Sequence, residues 1–182
     1  MPQSRFSWTL LLLGALFLGS AWILQSQEPV RSVNLADDMV VAPAVGHVAP
    51  DFTVSTLTGE SFTLSEQLGQ PLVLNFWATW CPPCRAEIPY FQAASRKYNG
   101  QVTVVGVDDG EPLGLVAPFV SQLGMTYVIP LDEDSAVSKE YRVNSLPTTF
   151  FIDDSGVIRY VHIGIINQAV LEDKIAELID SS

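Results

Sequence analysis

Two cysteines, Cys81 and Cys84, are all that the 182 residues contain, and only two histidines, His47 and His162, accompany them. So few thiols exclude a disulfide framework and a four-cysteine zinc site. The histidines lie far from the pair in sequence, so a mixed zinc centre is not expected and no metal is assigned. A purely structural bridge between residues three apart would stabilise little, because closing so short a loop removes little unfolded-state entropy. Redox work is the expectation that remains for the pair. Positive charge is also scarce: nine Lys and Arg face twenty Asp and Glu, a formal net charge of -11. Such a chain repels phosphate backbones, which excludes nucleic acid as a partner. The acids stand singly or in short groups, such as Asp108-Asp109 and Asp132-Glu133-Asp134, and read as a solvated surface without calcium-loop spacing. Internal repeats and low-complexity tracts are absent.

Long apolar runs are absent with one exception, residues 6–24, which carry no charge across 19 positions. That length crosses a bilayer core of about 30 Å as a helix. Arg5 precedes the run and marks the cytoplasmic side, which places the remainder of the chain outside the cytoplasm. A cleaved signal peptide is the alternative, with Gly19-Ser20-Ala21 as a small-residue site. The apolar residues Trp22-Ile23-Leu24 immediately after it favour a retained anchor. We therefore expect a signal-anchor over residues 1–24, a linker over 25–44, where neither helical nor strand periodicity is visible, and one catalytic domain over 45–182. The expected location is the cytoplasmic membrane, single-pass, with the domain on the extracytoplasmic side.

Within that domain, apolar segments alternate in period between strand and helix, so the fold class is α/β. Residues 52–57 and 60–64 flank Thr58-Gly59 and predict a hairpin, with Ser65 placed to cap a short helix. Residues 72–77 and 102–107 are near-continuous apolar runs, as in buried central strands. Helices are predicted over 82–98, with Pro89 inside, and over 113–123, with Pro118 inside. A short strand is expected at 127–131 and a helical stretch at 135–141. Residues 148–152 and 157–161 flank the turn Asp154-Ser155-Gly156. Val170, Leu171, Ile175, Leu178 and Ile179 recur at helical spacing in a closing helix.

Cys81 comes just after the strand that ends near Trp77, and Cys84 falls about one turn into the next helix, on one face with it. The first cysteine thus sits where unpaired backbone donors and the helix dipole stabilise a thiolate. Pro82 suits a helix start, since it lacks a donor that would go unpaired there. Cys81 is the expected nucleophile and Cys84 the resolving thiol, with no bound cofactor besides this pair.

Residues 75–89, Asn-Phe-Trp-Ala-Thr-Trp-Cys-Pro-Pro-Cys-Arg-Ala-Glu-Ile-Pro, with Ser145-Leu146-Pro147-Thr148-Thr149-Phe150, resemble the TlpA/ResA/CcmG group of thioredoxin-like proteins. The resemblance runs from about residue 46 to 180. It implies a thioredoxin-like fold: a central mixed sheet flanked by helices, with an added amino-terminal hairpin and a central helix-strand insertion. It also implies that Pro147 is a cis-proline beside the disulfide, where the backbone at Leu146 can pair with an extended substrate. Without the cysteine motif Pro147 would read as an ordinary strand-entry proline. Trp80, Pro82, Pro83, Leu146 and Pro147 are the expected substrate surface, with Trp77 assigned to packing and His162 to a strand end. Glu87 matches an acidic position of the group and could exchange protons with Cys84; spacing alone also allows a helix-surface acid. Asn75 stands where thioredoxins carry a buried aspartate, which leaves Glu87 as the one acid expected near the pair. The implied activity is that of an extracytoplasmic thiol-disulfide oxidoreductase, most simply a reductase of protein disulfides. The implied client is apocytochrome c, and the implied source of electrons a membrane donor. A disulfide-forming oxidant or isomerase, and a non-catalytic binding module, stay open as alternatives. A thiol peroxidase is disfavoured because the order Pro-x-x-x-Thr-x-x-Cys is missing.

Overall fold

The computed structural model describes residues 40–180. The expected anchor at 1–24 and most of the expected linker lie outside the described residues. Among those described, no helix is long and apolar enough to cross a membrane. Backbone bonds already join Val48 to Val40 and Ala42 to Val48, so the folded unit reaches ahead of the expected boundary at 45.

A five-stranded sheet forms the centre. In chain order its strands are β3 (Leu72–Trp77), β4 (Thr103–Asp109), β5 (Leu131–Asp132), β6 (Thr148–Ile152) and β7 (Ile158–Ile163), preceded by a separate hairpin of β1 (Thr53–Ser55) and β2 (Ser61–Thr63). The spatial order is β5-β4-β3-β6-β7. β3, β4 and β5 run parallel, while β6 and β7 are antiparallel to their neighbours. The helices are α1 (Pro82–Lys97), α2 (Leu113–Leu123), α3 (Ala136–Glu140) and α4 (Gln168–Asp180). Several expected segments differ in detail, the hairpin strands among them, which shorten to Thr53–Ser55 and Ser61–Thr63. The strand expected at 127–131 shrinks to Leu131–Asp132, with isolated bridges at Val128 and Pro130, because Pro130 cannot donate to a ladder. Ser65 does not cap the 3-10 turn Ser65–Gln67; its hydroxyl donates to Asp51 instead, at 2.7 Å. β4 runs two residues past the expected end, and β7 runs to Ile163.

Alternation along β3 builds a core on each face of the sheet. Val73 and Trp77 point to one face, where Ile88 and Phe91 of α1, Val116 and Val120 of α2, and Leu171 and Ile175 of α4 complete a buried cluster. Leu72, Leu74 and Phe76 point to the other, against Phe52, Phe62 and Leu64 from the hairpin and Val137 and Tyr141 around α3. Burying one such side chain stabilises by about 1.5–3 kcal/mol relative to exposure. The hairpin thereby acts as a lid on a core that would otherwise face water. The Tyr141 hydroxyl donates to the Pro50 carbonyl at 2.7 Å and fixes that lid.

The run Asp108-Asp109 and the run 132–134 do not form a solvated surface throughout. Asp108 and Asp132 are fully buried. Asp132 accepts the backbone N–H groups of Val137 and Ser138 at 3.1 and 2.7 Å, satisfying two orphan donors at the start of α3. Asp108 stands one residue before the end of β4, beside Trp77, its register partner on β3. β4 is longer than its apolar run, and alternation carries Asp108 to the same buried face as Val104 and Gly106.

Candidate functional site

Strand register gathers the expected site residues at one end of the sheet. β3 ends at Trp77, opposite Asp108 of β4; Phe76 pairs with Thr148 at the start of β6, and Thr148 with Ile163 at the end of β7. The loops that leave this end hold Trp80 and Cys81, Glu111, Leu146-Pro147, and residues 164–166. Sequence patterning predicts the first and third of these loops, not the second and fourth.

Cys81 is the N-cap residue of α1, in extended backbone, and Pro82 and Pro83 occupy its first turn. The Cys81 sulfur accepts the Cys84 backbone N–H at 3.3 Å, so an orphan donor of the helix start is aimed at it. The two cysteines are joined as a disulfide, with their Cα atoms 5.3 Å apart. Both are buried, and Cys84 is completely enclosed. Trp80, by contrast, is 66% exposed, and Pro82 and Pro83 are exposed beside it. These three present a firm apolar rim around a recessed sulfur pair. Trp77 is buried, its indole stacked on Phe119 with ring centroids 5.6 Å apart, as its packing assignment requires.

The Leu146-Pro147 peptide bond is cis. Pro147 is buried, Leu146 packs against the cluster that contains both cysteines, and the Pro147 carbonyl accepts the Gly164 N–H at 2.8 Å. His162 lies in β7 with Nε2 3.1 Å from the Ile165 carbonyl, a strand-end contact.

Glu87 lies one turn beyond Cys84 on α1 and is 0% exposed, so it is not a helix-surface acid. Its Oε1 accepts from Asn75 Nδ2 at 2.9 Å, and its Oε2 from the Ile166 backbone N–H at 3.0 Å. Asn75 also donates to Thr149 Oγ1 at 3.0 Å, which locks its amide. Burial pushes the Glu87 carboxyl up from 4.5 to about 7, and the two hydrogen bonds pull the other way. Tyr127, buried over Gly106, has its phenol pushed up by burial and then by the charge of Glu87.

Glu87 is not the one acid near the pair. Glu111, also buried, accepts the Thr79 backbone N–H and hydroxyl at 2.5 and 2.6 Å, two residues before Cys81. Gly110 turns the chain back at φ +79°, a conformation that a residue with a Cβ rarely takes. The signal that could have found Glu111 was the strand alternation carried on to Asp108, followed by Gly110 as a turn. Among the described residues no group of three or more histidine, cysteine or acidic side chains is arranged to hold a metal ion.

A cysteine pair at the N-terminus of the helix after the central strand, with a cis-proline entering the neighbouring antiparallel strand, defines a thioredoxin-fold thiol-disulfide oxidoreductase. Residues 45–161 match the AhpC/TSA family model. Thiol-disulfide oxidoreductase ResA of Geobacillus kaustophilus is 39% identical over 132 residues, 72% of this chain and 76% of that protein. Thioredoxin-like protein YneN of Bacillus subtilis is 35% identical, over 71% of this chain and 78% of its own. Among solved structures, a putative thiol:disulfide interchange protein DsbE from Chlorobium tepidum superposes with a TM-score of 0.71 at 30% identity, covering 75% of this chain and 98% of that one. StoA from Bacillus subtilis gives 0.62 at 30% identity, covering 70% and 96%. The chain belongs to the AhpC/TSA family, and within it to the thiol-disulfide oxidoreductases of the ResA, DsbE and StoA type.

Proposed function

We propose that this oxidoreductase is an extracytoplasmic reductant of protein disulfides, anchored by residues 6–24, with apocytochrome c as its client. The observation that carries this reading is the recessed Cys81–Cys84 pair with a buried acid, poised near neutrality, one turn behind Cys84. In the dithiol form, the Cys81 thiolate attacks one sulfur of the client disulfide, forming a mixed disulfide and releasing one client thiolate. Cys84 then gives its proton to the Glu87 carboxylate and attacks the Cys81 sulfur. The second client thiolate leaves, and the protein has passed on two electrons as its own disulfide forms. Trp80, Pro82 and Pro83 receive the client beside Leu146-Pro147, where an extended segment can pair with the backbone. The pair is the sole redox group, and a membrane donor returns two electrons to it. Two features support the location and the recharging step: the uncharged run after Arg5 and the likeness to ResA.

Trapping tests the reading. The full chain with Cys84→Ala should hold apocytochrome c in mixed disulfide with Cys81 in membranes that make cytochrome c. A broad set of secreted proteins held there instead would assign the chain to disulfide formation or isomerisation.

A further inference from the structure

Thr79 stands two residues before Cys81, and Glu111 takes both of its donors, the backbone N–H on one carboxyl oxygen and the hydroxyl on the other. Both carboxyl oxygens of Glu111 are thus engaged as acceptors. Behind it lies Asp108, completely enclosed, with neither side-chain oxygen in a hydrogen bond of good geometry; the Glu111 N–H exerts only the weakest of the pulls on it. A buried carboxyl so poorly supplied with donors is stable in one condition, as the neutral acid, which then carries a proton to give to a neighbouring carboxylate.

We propose that Asp108 and Glu111 are positioning residues: they hold one proton between them, and the clamp that Glu111 closes on Thr79 sets the placement of the Trp80-Cys81 loop and so the reactivity of Cys81. The inference rests on the reading of Cys81 as the attacking thiol. The charge surroundings fit a shared proton. Burial is the largest influence on Asp108, followed by the charge of Glu111, a side-chain interaction with the Glu111 carboxyl and, more weakly, the charge of Asp109, and together they push it up to about 8. From the elements packed around it, β3 contributes Trp77 and β5 contributes Leu131 as register partners, neither of them charged. Helix α2 carries no charged residue in 113–123, and from α1 the Arg85 guanidinium lies 5.4 Å over the ring of Phe119. Above the pH at which Asp108 ionises, two adjacent buried carboxylates repel each other and the clamp on Thr79 loosens.

The test uses the reduced full chain. It follows the rate of Cys81 alkylation from pH 6 to 10, and mixed-disulfide formation with a disulfide peptide at pH 6.5. The unaltered protein should show the thiol's own step and a second inflection near pH 8. Asp108→Asn, which keeps the shape and donates an N–H permanently, should retain the first step and lose the second. Thr79→Val should slow mixed-disulfide formation about tenfold while Thr79→Ser retains the rate. A second inflection that persists in Asp108→Asn, or a Thr79→Val rate equal to that of the unaltered protein, overturns the proposal. If Cys81 of the unaltered protein is not alkylated, or Cys84→Ala forms no mixed disulfide through Cys81, the reading beneath it fails instead.

Discussion

At Glu87 two influences oppose each other. Enclosure without a cation favours the neutral acid, whereas the amide of Asn75 and the N–H of Ile166 favour the anion. Enclosure wins by enough to bring the group to about 7, where it can both take and return a proton. An ordinary glutamate, near 4.3, would be too weak a base for a thiol near 8.5. Replacing Glu87 with Gln should therefore slow the resolving step about ten- to hundredfold at neutral pH and abolish an inflection near pH 7 in Cys84 alkylation. A Gln variant that keeps that inflection would remove Glu87 from the proton path. Asn75 also takes on a meaning at this scale. It does not simply leave out an acid; it is the hydrogen-bond donor that orients the acid on the facing helix.

Among the elements, β4 is where close approach matters most. Gly106 lies under Tyr127 and the indole of Trp77: a Cβ there would meet Tyr127 at 2.8 Å and the indole nitrogen at 3.0 Å. Both are ring atoms of buried, packed side chains. Gly106→Ala should thus destabilise by about 1–3 kcal/mol through overpacking, read as a lower urea midpoint with an unchanged slope. An unchanged midpoint would mean that the rings move aside freely. The legibility of the elements followed their burial. Leu72–Trp77 and Thr148–Ile152 have apolar side chains on both faces, so their ends are visible in sequence, and α2 fell on its expected bounds of Leu113–Leu123. The cysteine motif and the leucine-proline step fixed most of the site because their chemistry is local. Gly110 marks the turn that carries Glu111, but the role of Glu111 was not legible, because it depends on Thr79, thirty-two positions away. Asp108 was misplaced because a pair of acids looks like surface unless the strand before it is followed to its end.

Over the whole molecule, stability should depend on pH in a direction unusual for an acidic protein. Glu87 and Asp108 both have folded-state values above their ordinary ones, about 7 against 4.5 and about 8 against 3.8. Between those values the folded state holds more protons than the unfolded, so stability falls as pH rises. Ionisation in place costs about 3 kcal/mol at Glu87 and about 6 kcal/mol at Asp108, from the size of the two shifts. Asp153 acts oppositely. Although burial alone would raise it, hydrogen bonds from Ser155, Val157 and Arg159 hold it below the usual carboxylate range. Its contribution is present above the ordinary aspartate value and is lost in more acid solution. Unfolding free energy of the oxidised protein should therefore peak at about pH 4, where the gain from Asp153 ends and the losses from Glu87 and Asp108 begin, and decline toward pH 8.5. The double variant Glu87→Gln, Asp108→Asn should flatten that decline, as urea titrations at each pH will measure; an equally steep decline in the variant would place the titrating groups elsewhere.

The most direct measurement compares the single variants Cys81→Ala and Cys84→Ala of the reduced full chain against a peptide disulfide, following adducts by mass and rate. Cys84→Ala should form a one-to-one mixed disulfide through Cys81, at a rate set by a thiolate titrating below the ordinary value of about 8.5, and Cys81→Ala should stay unmodified. Equal or faster adduct formation at Cys84 in the Cys81→Ala variant would contradict the assignment of Cys81 as the attacking thiol.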